Sequence, residues 1–119
     1  MPDRKSTAWL VREDEVLASI MVVSGWRSAA AGAWVPQHED VDGPVLVRPA
    51  FWAQSASSGN PLDIAFLDSE NIVVRTLRLK RNRVALPAVS ARSVLRAKRG
   101  AFGAWDLKIG DVMDIRPCE

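Results

Sequence analysis

The stretch PLDIAFLDSENIVVRTLRL, Pro61–Leu79, decides the fold. Two β-rich runs flank Ser69, Glu70 and Asn71, and a short Asn-containing turn between such runs predicts a hairpin. Strand alternation puts Asp63, Ala65 and Leu67 on one face and Leu62, Ile64 and Phe66 on the other. Asp63 is the anomaly in this run. An ionised carboxylate on a buried face needs a paired charge or several hydrogen bonds. Arg27 and Arg48 are candidate partners by residue type. One reading makes Asp63 a ligand anchor or general acid/base in a cleft, with Arg27, Arg48, Gln54 or Asn60 as the second polar group. The other makes it a carboxylate that accepts backbone N–H bonds and fixes a loop or a helix end. Pro61 and the small-residue loop before it favour the second. On that reading Asp63 orders the loop-to-strand junction that begins at Pro61.

Outward from the hairpin, the chain is punctuated by turn signals. TAWLVRE and VLASIMVV read as a first hairpin bent at EDE, residues 13–15. Ser24 is an N-cap candidate for a short helix over 25–33, ended near Gly32 and Pro36. VLVRPAFW is a strand that Pro49 ends, and AQSASSGN is a loop. VALPAVSA is extended and broken by Pro87. RSVLRAK fits strand or helix equally, GAFGAWDL holds one helical turn, and KIGDVMDIRP is a Gly-Asp turn into a last strand. This pattern predicts an α+β, mostly β fold: a small mixed-sheet or barrel-like single domain with one or two short helices. Residues 1–7 are read as a flexible N-terminus, 8–116 as the domain and 117–119 as a tail.

At 119 residues, with 48% hydrophobic and 25% charged residues, the chain is sized and composed for one globular core. No apolar run reaches the length of a membrane span or a signal peptide, so a cytoplasmic location is expected. The single cysteine, Cys118, excludes an internal disulfide and a cysteine zinc cluster. The single histidine, His38, excludes multi-histidine sites. With Glu39, Asp40 and Asp42 it reads as a solvated loop rather than a metal site. No Gly-x-Ser-x-Gly, glycine-rich phosphate loop or metal-ligand spacing is present, so no catalytic residue and no cofactor are expected.

The net charge of +2 hides a segregation. Residues 1–70 carry ten acids and five bases, 71–105 nine bases and no acid, and 106–119 four acids and two bases. Arg75, Arg78, Lys80, Arg81 and Arg83 begin the basic segment. Arg78 and Lys80 lie opposite Leu77 and Leu79 by alternation. Such a stripe can track phosphates, but it lacks the interleaved aromatics of a stacking platform. An exposed face, or one docked on an acidic protein, is the favoured reading. Of five tryptophans, most must fill the core. Trp34 and Trp52 flank polar loops and are candidate interface anchors.

PLDIAFLDSENIVVRTLRL, SVLRAKRGAFGAWDLKIGDVMDI, GWRSAAAGAW and VDGPVLVRPA together resemble the bacterial and archaeal domain-of-unknown-function family number 192, in its shorter actinobacterial form. The likeness spans roughly residues 8–116 and falls on Gly32, Pro61, Asp63, Ala65, Phe66, Gly100, Gly110 and Asp111. Ala29 stands where the family has an arginine, Val35 and Pro36 where it often has Gly-Arg, and Gln54 near the place of the actinobacterial histidine. The resemblance implies the fold, a backbone-turn role for Gly110 and Asp111, and no established reaction. It also implies a protein partner from pilus or secretion machinery. Three function classes follow: a non-catalytic protein-binding or scaffold module, a ligand or enzymatic site at Asp63, and nucleic-acid binding through residues 75–99.

Overall fold

The computed structural model describes residues 4–25, 43–50, 52–54, 61–80, 83–85 and 90–118. The expected helix over 25–33 falls almost wholly outside them, as do Gly32, Pro87 and the acidic segment around His38.

Strands β1 (Arg4–Arg12) and β2 (Glu15–Ser24) form the first hairpin. Glu13 and Asp14 turn it at φ 50° and 66°, the left-handed conformations of a two-residue hairpin turn. β1 starts at Arg4 opposite Ser24, so the ordered sheet begins before the expected boundary at residue 8. β3 (Val45–Arg48) stops at Pro49, which follows a cis peptide bond. β4 (Ala53–Gln54) pairs with β7 (Val84–Ala85), so the start of the expected loop AQSASSGN contributes a small second sheet. β5 (Leu62–Leu67) and β6 (Val73–Leu79) form the hairpin predicted from Pro61–Leu79. RSVLRAK resolves as strand β8 (Ser93–Lys98), because it is paired on both sides, with β5 and with β3. One helical turn, α1 (Ala101–Ala104), precedes the last strand, β9 (Asp114–Pro117).

The main sheet has seven strands in the order β6-β5-β8-β3-β2-β1-β9. It is mixed: β2 and β3 run parallel and every other neighbouring pair is antiparallel. Both faces of β5 are buried, which explains its nearly continuous apolar run. Ile64 and Phe66 pack with Val23, Val45, Val47, Val94 and Leu79 on one face. Ala65 and Leu67 pack with Leu10, Ile20, Leu46, Leu95, Phe102 and Met113 on the other. The two faces are those assigned from alternation.

The sheet curls without closing. Just before β9, Val112 makes an antiparallel bridge to Ile72, just before β6. Gly110 N–H donates to the Val73 carbonyl at 2.8 Å, Val73 N–H to the Asp111 carbonyl at 2.8 Å, and Met113 N–H to the Asn71 carbonyl at 2.9 Å. The two edges of the sheet are thus tied together at one corner, and residues 100–111 lie between them. No helix among the described residues is long and apolar enough to cross a membrane.

Candidate functional site

Asp63 is 4% exposed and points into the face that contains Ala65, Leu67 and Phe102. Its Oδ2 accepts from the backbone N–H of Gly100 at 3.0 Å and of Phe102 at 3.1 Å. Its Oδ1 accepts from Arg78 Nε at 3.2 Å. The first N–H groups of a helix have no intrahelical acceptor. Gly100, at the start of α1, has no side chain to supply one. Asp63 caps this turn from a strand 39 residues earlier than Phe102. The structure therefore places the carboxylate at a helix end and corrects the expectation that it orders the junction at Pro61.

The expected partners differ as well. Arg48 is exposed and lies two strands away, level with Ser93, whereas Asp63 is level with Ala97. That offset is about 13 Å along the strands at about 3.3 Å per residue. Arg27 and Asn60 lie outside the described residues, and Gln54 is described only as part of β4. The partner is Arg78, directly across the hairpin. A bulge puts it there. Leu67 faces Val73 but Phe66 faces Arg75, so Val74 is an extra residue on β6. Without it, Asp63 would face Leu77, because a one-residue slip exchanges the two faces of a strand.

The other end of the segment is held by Arg12, which no motif or pattern in the chain singles out. Its guanidinium donates to the carbonyls of Trp105 at 2.7 Å and Asp106 at 3.2 Å, just past the end of α1. It also pairs with Asp111 Oδ2 at 3.0 Å. Asp111 Oδ2 in turn accepts from Lys108 N–H at 2.9 Å, closing the turn at Gly110, whose φ is +98°. Glycine adopts this backbone without strain. Phe102 and Trp105 lie with ring centroids 5.8 Å apart. The scattered pieces Pro61–Phe66, Gly100 and Gly110–Asp111 thus form one assembly. Asp63 fastens the start of the 100–111 segment and Asp111, through Arg12, fastens its end.

Chemically, this arrangement holds backbone. Both Asp63 oxygens are engaged by donors from this chain, and Arg78 is the ionisable side chain bonded to it. Among the described residues no group of three or more His, Cys, Asp or Glu side chains is placed to hold a metal ion. At the β1–β9 edge, Arg116 bonds Asp114 at 2.7 Å and Asp14 at 3.0 Å, and these contacts raise its pKa above the ordinary value.

The basic segment divides between faces. Arg75 sits opposite Phe66, 6.0 Å from its ring, on the side of Leu77 and Leu79. Arg78 lies on the other side with Asp63. Lys80 and Arg83 are exposed, and Arg81 lies outside the described residues. Among the tryptophans, Trp26 and Trp34 lie outside the described residues, Trp9 is 44% exposed, and Trp52 and Trp105 are half-buried, so none of the described three is a buried core residue as expected. Trp9 stands between Ser19 of β2 and Arg116 of β9.

No protein-family model and no curated protein matches the chain. Among solved structures, it is similar to a candidate transcription regulator from Sinorhizobium meliloti 1021, with a TM-score of 0.70 at 13% identity, covering 97% of this chain and 96% of that one. It is also similar to a protein of unknown function from Novosphingobium aromaticivorans DSM 12444, with a TM-score of 0.59 at 15% identity, covering 94% of this chain and 84% of that one. These likenesses establish a shared fold.

Proposed function

We propose that this chain is a non-catalytic module that binds another protein, in the manner expected of a diverged relative of domain-of-unknown-function family 192. The observation that carries this reading is the structural duty of Asp63: its oxygens serve Gly100, Phe102 and Arg78, so the carboxylate holds the start of α1. The exposed Trp9, rimmed by Ser19, Thr7 and Arg116, has the composition of an interface anchor. A partner in pilus or secretion machinery belongs to the same proposal. Nucleic-acid binding is the weaker reading. A regulator with this fold supports it, but Arg75 and Arg78 on opposite faces do not make one phosphate-tracking stripe.

The test is affinity capture from native lysate, with and without nuclease, using wild-type protein, Trp9→Ser and Asp63→Asn. The binding-module reading expects a protein that survives nuclease, is lost with Trp9→Ser and is kept by folded Asp63→Asn. Capture that disappears with nuclease favours nucleic acid. A small ligand lost on Asp63→Asn at unchanged melting temperature overturns the reading.

A further inference from the structure

We propose that residues 100–111 form a strap that opens and closes as one unit across the gap between the sheet's two edges, with its two ends energetically coupled. The segment holds itself together. Ala104 N–H bonds the Gly100 carbonyl, Trp105 N–H that of Ala101, Leu107 N–H that of Phe102, and Asp111 N–H that of Lys108. Its attachments to the rest of the molecule are few and distinct. Asp63 of β5 holds Gly100 and Phe102. Arg12 of β1 holds Trp105, Asp106 and Asp111. The backbone of Val73 holds Gly110 and Asp111.

Each end of the strap is a glycine at positive φ, +93° at Gly100 and +98° at Gly110. A Cβ at either position would meet nothing within 4 Å. Glycine is therefore needed for its backbone conformation rather than for space, as at a hinge. Phe102 is the strap's buried residue. Ala101, Trp105 and Leu107 are half-buried, and Gly103, Ala104, Asp106, Lys108 and Ile109 are exposed. Lifting the strap withdraws Phe102 and the half-buried Ala101, Trp105 and Leu107 from one core cluster, but it leaves the pairing of the seven-stranded sheet and the cluster on its other face intact. Its opening free energy consequently lies below that of global unfolding. The two bonded groups, 100–107 and 108–111, are joined by the Lys108–Asp106 ion pair at 3.3 Å and by Arg12, which holds Trp105, Asp106 and Asp111 together, so loss of either anchor loosens both ends. The open form uncovers the cluster under Phe102 and frees Val73 from residues 110–111.

Residue-resolved amide hydrogen exchange at neutral pH, read by NMR, tests this on wild type, Asp63→Asn and Arg12→Lys. In wild type, Phe102 and Gly110 amides should share one opening free energy and exchange faster than Ala65 and Leu95. Asp63→Asn should accelerate both Phe102 and the distant Gly110 by about tenfold or more, the effect of weakening a charged hydrogen bond. Arg12→Lys, which cannot reach its three acceptors at once, should do the same. The ratio to Ala65 should widen in each variant. Acceleration of Phe102 alone in Asp63→Asn overturns the coupling. A uniform factor across Phe102, Gly110 and Ala65, or wild-type strap amides as slow as Ala65, overturns the independent opening.

Discussion

Replacing Asp63 by asparagine isolates what the carboxylate does. The carboxylate accepts two backbone N–H bonds and one from Arg78. Hydrogen bonds to a charged group contribute about 1.5–3 kcal/mol each. Both backbone bonds fall on Oδ2, so an asparagine carbonyl oxygen in its place keeps them, weakened by about 1 kcal/mol each from the charged to the neutral range, and loses Arg78. Its amide group then faces a donor with a donor. The expected loss is about 2–3 kcal/mol from a total near 5–15 kcal/mol. Asp63→Ala should cost more, about 3–5 kcal/mol, because the buried Phe102 N–H and the part-buried Gly100 N–H lose their acceptor. Arg78→Ala should cost under about 1 kcal/mol, since its side chain is 56% exposed and solvent screens the pair. For 119 residues at about 2.1 cal/mol/K each, 1 kcal/mol moves Tm by about 4 °C. Thermal unfolding followed by circular dichroism should therefore show Asp63→Asn down by about 8–12 °C and Arg78→Ala by less than about 4 °C. Equal shifts for the two variants would refute the reasoning, since the arginine rather than the helix end would then be what Asp63 serves. An unchanged Tm for Asp63→Asn would refute it more thoroughly.

Five further substitutions use the same assay. Arg12→Ala should destabilise by about 2–4 kcal/mol, as it strips two carbonyls and a half-buried carboxylate of their donor. Gly110→Ala should cost about 1–2 kcal/mol for forcing a Cβ into φ +98°, whereas Gly103→Ala, inside α1 with open space around it, should gain up to about 1 kcal/mol. Ser93→Ala should be neutral or stabilising by up to about 1 kcal/mol, because Ser93 is 3% exposed and its buried hydroxyl has no hydrogen-bond partner; a loss of stability would reveal a partner for it. Arg116→Ala, in an exposed set of ion pairs, should lower Tm slightly in dilute buffer and not at all in high salt.

What the sequence made legible was local. The hairpins β1–β2 and β5–β6 followed from alternation around short turns, and both faces of β5 were assigned correctly. The Gly110–Asp111 turn was read from residue type, and its Asp111–Lys108 bond spans three residues. Asp63 was recognised as needing partners, but its acceptor duties lie 37 and 39 residues away. Residue types cannot rank such distant pairs, so Arg48 was as good a guess as Arg78. The bulge at Val74 decided between Arg78 and Leu77, and nothing in VVRTLRL announces it. Arg12 was invisible for the same reason, since its contacts span 93 to 99 residues. RSVLRAK was ambiguous because a strand buried on both faces loses its period of two, and only its neighbours β5 and β3 settled it.

The last strand carries a safeguard against self-assembly. Cys118 N–H bonds the Thr7 carbonyl, and the register then turns the peptide groups of Arg116 and Asp114 toward β1 as well. Ile115 and Pro117 are left facing outward along the sheet's edge. Proline has no N–H, so Ile115 supplies the outward donor of this four-residue strand, between the charges of Asp114 and Arg116. An incoming strand from another copy finds one donor where a repeating ladder needs a row. A valine at position 117 would complete that row and turn this edge of the sheet into a template for stacking.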